Sequence, residues 1–138
     1  MKEAFASQAK PFGLDLKEFA MIVGPNEELA VLITKIVRSK AFEPSEIVAE
    51  RNQVYEDAKR AGDVTKINFV KITKIAGWPT VEEDVERSNG GRGRTHKMIL
   101  GKTIFEISFI VSSARNFSKY EPAMGTVLAT MTVVNKID

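Results

Sequence analysis

Between Lys102 and Ser113 the chain alternates as a strand does: Phe105, Ile107, Phe109 and Val111 fall on one face, Glu106, Ser108 and Ser112 on the other. Successive side chains of a pleated backbone point to opposite sides, so a period of two over this length specifies a half-buried β-strand. A strand is not stable alone. It needs paired neighbours and an apolar layer against its Phe-Ile-Phe-Val face.

Two helices are predicted to supply that layer. Leu29, Leu32, Ile33, Ile36 and Val37 recur at i, i+3, i+4, i+7 and i+8, with Pro25, Glu27 and Glu28 at the start and Arg38 and Lys40 at the end. This is an amphipathic stripe with charges where a helix dipole favours them. Phe42-Glu43-Pro44-Ser45 opens the next helix, with Ile47, Val48, Val54, Tyr55 and Ala58 inward and Gly62 ending it in a left-handed cap. Arg51 falls on that inward side, placed to be salt-bridged or to snorkel. The short connection predicts an antiparallel or angled helical pair. Ahead of it, Asp15 and Glu18 have capping-box spacing before Phe19, Ile22 and Val23, the inward side of a short helix closed by Gly24-Pro25.

Val64 to Ile75 is rich in β-branched residues and reads as a strand. Its alternation changes phase between Ile67/Phe69 and Val70/Ile72, which predicts a bulge near Phe69 or cover on both faces. Gly77-Trp78-Pro79 ends it. Thr80 and Glu83 then make a capping box for a short helix containing Val81 and Val85, stopped by Ser88-Asn89-Gly90. After the organising strand, Ala114 to Gly125 reads as a polar connection. Thr126 to Val134 reads as a last strand with Val127, Ala129, Met131 and Val133 on its apolar face. Helices followed by strands give an α+β fold, an N-terminal helical pair packed on one face of an antiparallel sheet. A helical start followed by a curved sheet is similar in outline to cystatin-like folds of the nuclear-transport-factor-2 type. It is equally similar to small viral neck or tail-terminator subunits.

The 138 residues suffice for a single domain spanning 1–138, and 43% hydrophobic with 28% charged residues is the balance of a soluble globular chain. The chain has no cysteine, which excludes disulfides, zinc–thiolate centres and thiol nucleophiles. Its apolar runs are too short for a membrane span, and Met1-Lys2-Glu3-Ala4-Phe5 lacks the apolar core of a secretory signal. The expected location is the cytoplasm, or a virion if the protein is viral.

Gly101-Lys102-Thr103 looks like the end of a phosphate-binding loop, but His96 stands where that motif needs glycine and a strand follows where it needs a helix. The most unusual segment is a basic, Gly-rich arm at 87–97. Arg87, Arg92, Arg94, His96 and Lys97 fall in it with no acid between Arg87 and Lys102. Guanidinium groups on a flexible backbone take phosphate oxygens two bonds at a time, which makes these residues the candidate partner or nucleic-acid site. Stacking aromatics are missing from the segment, and the formal net charge is only +2. His96, the only histidine, has no orienting partner nearby in sequence. Glu82-Glu83-Asp84 is explained by a helix dipole rather than a metal site, and Glu106 by solvent or a cross-strand ion pair.

No catalytic set and no cofactor or metal motif emerges. The sequence therefore points to a non-enzymatic structural or interaction subunit, a homo-oligomer or part of a larger protein assembly, with a viral structural component as one version. The alternatives are a nucleic-acid-binding module using the arm, and a small-molecule-binding or enzymatic cystatin-like domain.

Overall fold

The computed structural model describes residues 16–23 and 28–137, with side chains over 28–129. Six strands form one antiparallel sheet: β1 (Leu16–Val23), β2 (Leu29–Val37), β3 (Val64–Ile75), β4 (Trp78–Arg87), β5 (Arg92–Leu100) and β6 (Thr103–Val111). Their order is β1-β2-β6-β5-β4-β3. Helix α1 (Pro44–Arg60) carries the chain from β2 to the far edge, and a 3₁₀ turn (Ala114–Asn116) leads into α2 (Phe117–Ile137).

The organising strand is confirmed as β6, and its alternation divides two cores. Ile107, Phe109 and Val111 pack with Leu29, Val31 and α2 residues Phe117, Tyr120 and Met124. Ile104, one face over, packs with Val81, Ile99 and α1 residue Ile47. Tyr55 of α1 joins Val64 and Val85 in a third cluster. Among the described residues, one helix therefore lies on each face of the sheet.

The fold is α+β, but among the described residues there is no N-terminal helical pair. Leu29–Val37, predicted as a helix, is β2, paired with β6 from Leu29↔Val111 to Val37↔Thr103. Its apolar residues fall on both faces, Leu29, Val31 and Ile33 toward α2 and Ile36 toward α1, so the strand reads as a nearly continuous apolar run from which a helical stripe can be picked out. Leu16–Val23, also predicted helical, is β1. The helical start on which the cystatin-like and viral-neck outlines rested is, over Leu29–Val37, a strand.

Helix α1 holds as predicted, with Pro44 in its first turn, Lys59 and Arg60 in its last and Gly62 beyond it at φ 84°. Val54, expected inward, is exposed. Strand β3 also holds, and its register shifts between Ile67 and Phe69, where the bulge was expected. The Thr80–Glu83 capping box is instead part of β4. The expected last strand is α2, whose inward residues Phe117, Tyr120, Met124, Val127 and Leu128 follow a helical spacing.

Candidate functional site

The predicted arm is not an arm. Arg87 ends β4, Ser88 to Gly91 form a hairpin turn, and Arg92–Leu100 is β5, held between β4 and β6. Gly90 takes φ 91° in the turn, a left-handed conformation that glycine adopts without strain. The Asn89 side-chain oxygen accepts from Gly91 N–H at 2.9 Å. The Gly101-Lys102 pair is likewise a turn. Its carbonyls accept from Phe42 N–H at 2.8 Å and Arg38 N–H at 3.1 Å, so it presents acceptors to its neighbours rather than a cradle of donors.

With β5 a strand, its basic residues part to opposite faces. Arg92, Arg94 and His96 point to the α2 face, and Lys97 to the α1 face. Of the five predicted site residues only Arg87 is exposed. On the α2 face, fully buried Asp84 accepts from Arg92 Nε and Arg94 Nε at 2.8 Å each and from Asn68 Nδ2 at 2.8 Å. Burial acts to raise the Asp84 pKa, but these hydrogen bonds win and hold it below the ordinary carboxylate value. Both guanidinium groups also lie over the Phe117 ring, at 4.1 and 4.8 Å from its centre. Both are fixed on β5 rather than carried on a mobile arm.

The neighbouring acid, Glu83, points the other way and organises the α1 face. It is 2% exposed. It accepts from the Tyr55 hydroxyl at 2.5 Å, from Arg51 Nε at 3.1 Å and from Lys97 Nζ at 3.3 Å. Lys97 also reaches Glu106 at 3.3 Å, the cross-strand pair expected for that acid. Arg51, placed by its sequence position on the inward side of α1, is salt-bridged, one of the two arrangements expected for it. Burial acts to raise the Glu83 pKa, yet the Lys97 and Arg51 charges outweigh it and keep the carboxylate ionised. Burial, then the Glu83 charge, pushes the Tyr55 phenol up to about 12. The tyrosine is therefore a fixed donor, not a base.

Helix α1 covers only part of this face. Beside it the sheet floor is made of small residues, Gly93, Thr95, Ser108 and Ala30, and a cavity of about 410 Å³ opens above them. Thr95 and Ser108 hydroxyls lie 3.0 Å apart on that floor, and Ile110 is exposed at 44%. On the other side of the Glu83 cluster a second hollow of about 360 Å³ lies between Phe42, Ile47 and Ile104. Arg51 and Glu106 line both, so the two hollows lie on either side of the Glu83 cluster along the flank of α1. Sequence reasoning missed Glu83, Tyr55 and the small-residue floor as a unit. The available signal was the mirror arrangement of acids in β4 and bases in β5 about Asn89-Gly90. Among the described residues, no group of three or more His, Asp or Glu is placed to hold a metal ion. Among them also, no helix is long and apolar enough to cross a membrane.

No family model and no curated protein matches the chain. Among solved structures it is similar to PA94 of Pseudomonas aeruginosa, a protein of unknown function with a suggested role as a regulator. The TM-score is 0.59 at 14% identity, over 83% of this chain and 81% of that one. This likeness concerns the fold. A Bacteroides thetaiotaomicron structure overlaps at TM-score 0.37 and 11% identity, over 71% of this chain and 37% of that one, too weakly to carry an argument.

Proposed function

We propose that the protein is a non-enzymatic interaction subunit that receives an extended segment of another protein chain in the groove beside α1. The observation that carries this reading is the uncovered sheet floor of Gly93, Thr95, Ser108 and Ala30 under a cavity of about 410 Å³. Small floor residues leave room for a backbone and its side chains, and exposed Ile110 offers them an apolar seat. The charged side chains turned to this face are balanced, Glu83 and Glu106 against Arg51 and Arg87, whereas Glu28 and Arg92 are bound to Tyr120 and Asp84 on the other face. A polyanion is attracted by an excess of one sign, whereas a polypeptide with mixed polar groups suits a balanced surface. The non-enzymatic part of the reading is supported by Glu83, Tyr55, Lys97 and Arg51, whose polar groups are spent on one another.

A random peptide display library panned against the protein tests this. Enriched peptides are expected to bind the wild type and to fail on Ser108→Trp, which fills the floor. Peptides that bind both proteins equally would place the interaction elsewhere. Binding of a thymidine oligonucleotide that weakens steeply with salt and is lost on Arg87→Ala would replace the peptide reading with a nucleic-acid one.

A further inference from the structure

The opposite face of the sheet holds a different feature. His96 is 5% exposed, and both of its ring nitrogens lack a hydrogen-bond partner. Its ring neighbour is Phe109, edge-on at 5.9 Å between centres. Folded interiors rarely leave one such atom unsatisfied, and here there are two on one ring. The ring lines a cavity of about 320 Å³ between β3, β4, β5 and α2. Ile75, Met124 and Leu128 give it an apolar wall, while Arg94, Lys74 and Thr73 join His96 in a polar end that Glu82 and Glu121 also line. At Gly125 the helix leaves that wall open, since an added Cβ there would meet nothing within 4 Å. The volume lies at the lower end of the roughly 300–1,000 Å³ typical of ligand pockets, well above the ~30 Å³ share of a single water.

We propose that this cavity binds a small organic acid, its carboxylate taken by His96 and Arg94 and its apolar body lying against Met124 and Leu128. Arg94 keeps its Nε on Asp84 at 2.8 Å, but its Nη1 meets Glu121 only at 3.4 Å, and Glu121 is 47% exposed. A ligand carboxylate displaces Glu121 and takes the outer edge of the guanidinium in a shorter, charge-assisted bond. Burial and the Arg94 charge hold the imidazole neutral, with a pKa of about 4, while Asp84 opposes and Lys71 adds to that effect. A neutral imidazole has one N–H to give the carboxylate and one acceptor nitrogen, which suits a hydroxyl on the ligand or a trapped water. The site is independent of the groove beside α1 and stands or falls separately from it.

The single histidine makes the test direct. Protein labelled with ¹⁵N in the imidazole ring is titrated with hexanoate and benzoate, and with hexanamide and benzamide as uncharged matches. Saturable shifts of the His96 resonances are expected with the acids, and affinity about tenfold or more weaker with the amides. The His96 pKa should rise from about 4 in the acid complex, because the bound anion offsets Arg94. Gly125→Phe, which obstructs the cavity without replacing a polar group, should abolish the shifts while the His96 resonances stay those of the folded protein. His96→Leu should lose hexanoate binding by calorimetry. The proposal is overturned by a His96 ring that answers neither acid up to the solubility of the probe, the outcome for a cavity filled by water alone. Equal responses to acids and amides overturn it as well.

Discussion

Replacing Asp84 by alanine removes one acceptor and strands two cations. The carboxylate is fully buried and accepts from Asn68 Nδ2 (2.8 Å), Arg92 Nε (2.8 Å), Arg92 Nη2 (3.1 Å) and Arg94 Nε (2.8 Å). Removing one member of a buried ion pair costs about 3–5 kcal/mol, because the remaining charge loses its compensation inside a poor solvent for ions. Two features moderate the loss here. The arginine side chains are 24% and 19% exposed, so they can turn toward water, and their contact with Phe117 survives. The expected destabilisation is therefore about 3 kcal/mol. Urea unfolding with linear extrapolation measures it, and a cycle with Arg94→Met should return a coupling of at least about 1 kcal/mol. Arg94→Glu, which a flexible arm would tolerate, should destabilise as much or more by setting a second carboxylate against Asp84. If Asp84→Ala lies within about 1 kcal/mol of wild type, the buried-pair reasoning is refuted.

Two further outcomes are expected. The His96 pKa falls from 6.5 to about 4 on folding, so the unfolded chain binds more protons between those values. Stability is then complete above about pH 6.5 and declines by about 3 kcal/mol as pH falls toward 4; pH-dependent unfolding of His96→Leu should lack that slope, and an identical slope in both proteins would rule the histidine out. Asp84 and Glu83, whose pKa values are lowered, act below that window, their contribution being lost as pH falls through their folded values. In the β3–β4 turn, Ala76 has φ 52° and Gly77 φ 85°. Two left-handed residues are what a tight hairpin turn requires, and alanine is strained there. Ala76→Asn should raise stability by roughly 0.5–1 kcal/mol, and a lower melting temperature would show the turn is not so strained.

Strand β6 and helix α1 were legible because each presents one apolar side and one polar side, so the period shows. β2 was not. Leu29–Val37 sits inside the sheet between β1 and β6, and β-branched Val31, Ile33 and Thr34 were the better guide than the helical spacing of Leu29, Leu32 and Ile36. α2 was lost for the opposite reason. The alternation from Val127 onward suggested a strand, while Phe117, Tyr120, Met124 and Val127, spaced three or four apart, already described a helix. For the site, basic residues at 87–97 were correctly singled out as unusual, but their partners lay in β4, which capping-box spacing had assigned to a helix. Arg51 and Glu106 were read with their ion pairing in view because each stands out against its own element.

Glu83 and Asp84 are adjacent in sequence yet serve opposite sides of the sheet, one bound to Lys97 and Arg51, the other to Arg92 and Arg94. Strand β4 is buried on both faces from Val81 to Val85, apart from half-buried Glu82, with Val81 and Val85 toward α1 and Asp84 toward α2, so a one-residue slip would already turn its valines away from their clusters. The paired charges reinforce that preference. Displace the β4–β5 hairpin by one residue and Asp84 turns to the face of Arg51, Glu83 to the face of Phe117, and each leaves its cations behind. Such a chain would turn Val81 and Val85 away from α1 and lose its ion pairs on both sides at once. The hairpin thus works as a double-sided key, turning only in the one alignment that satisfies both locks, and a misaligned intermediate has little to hold it.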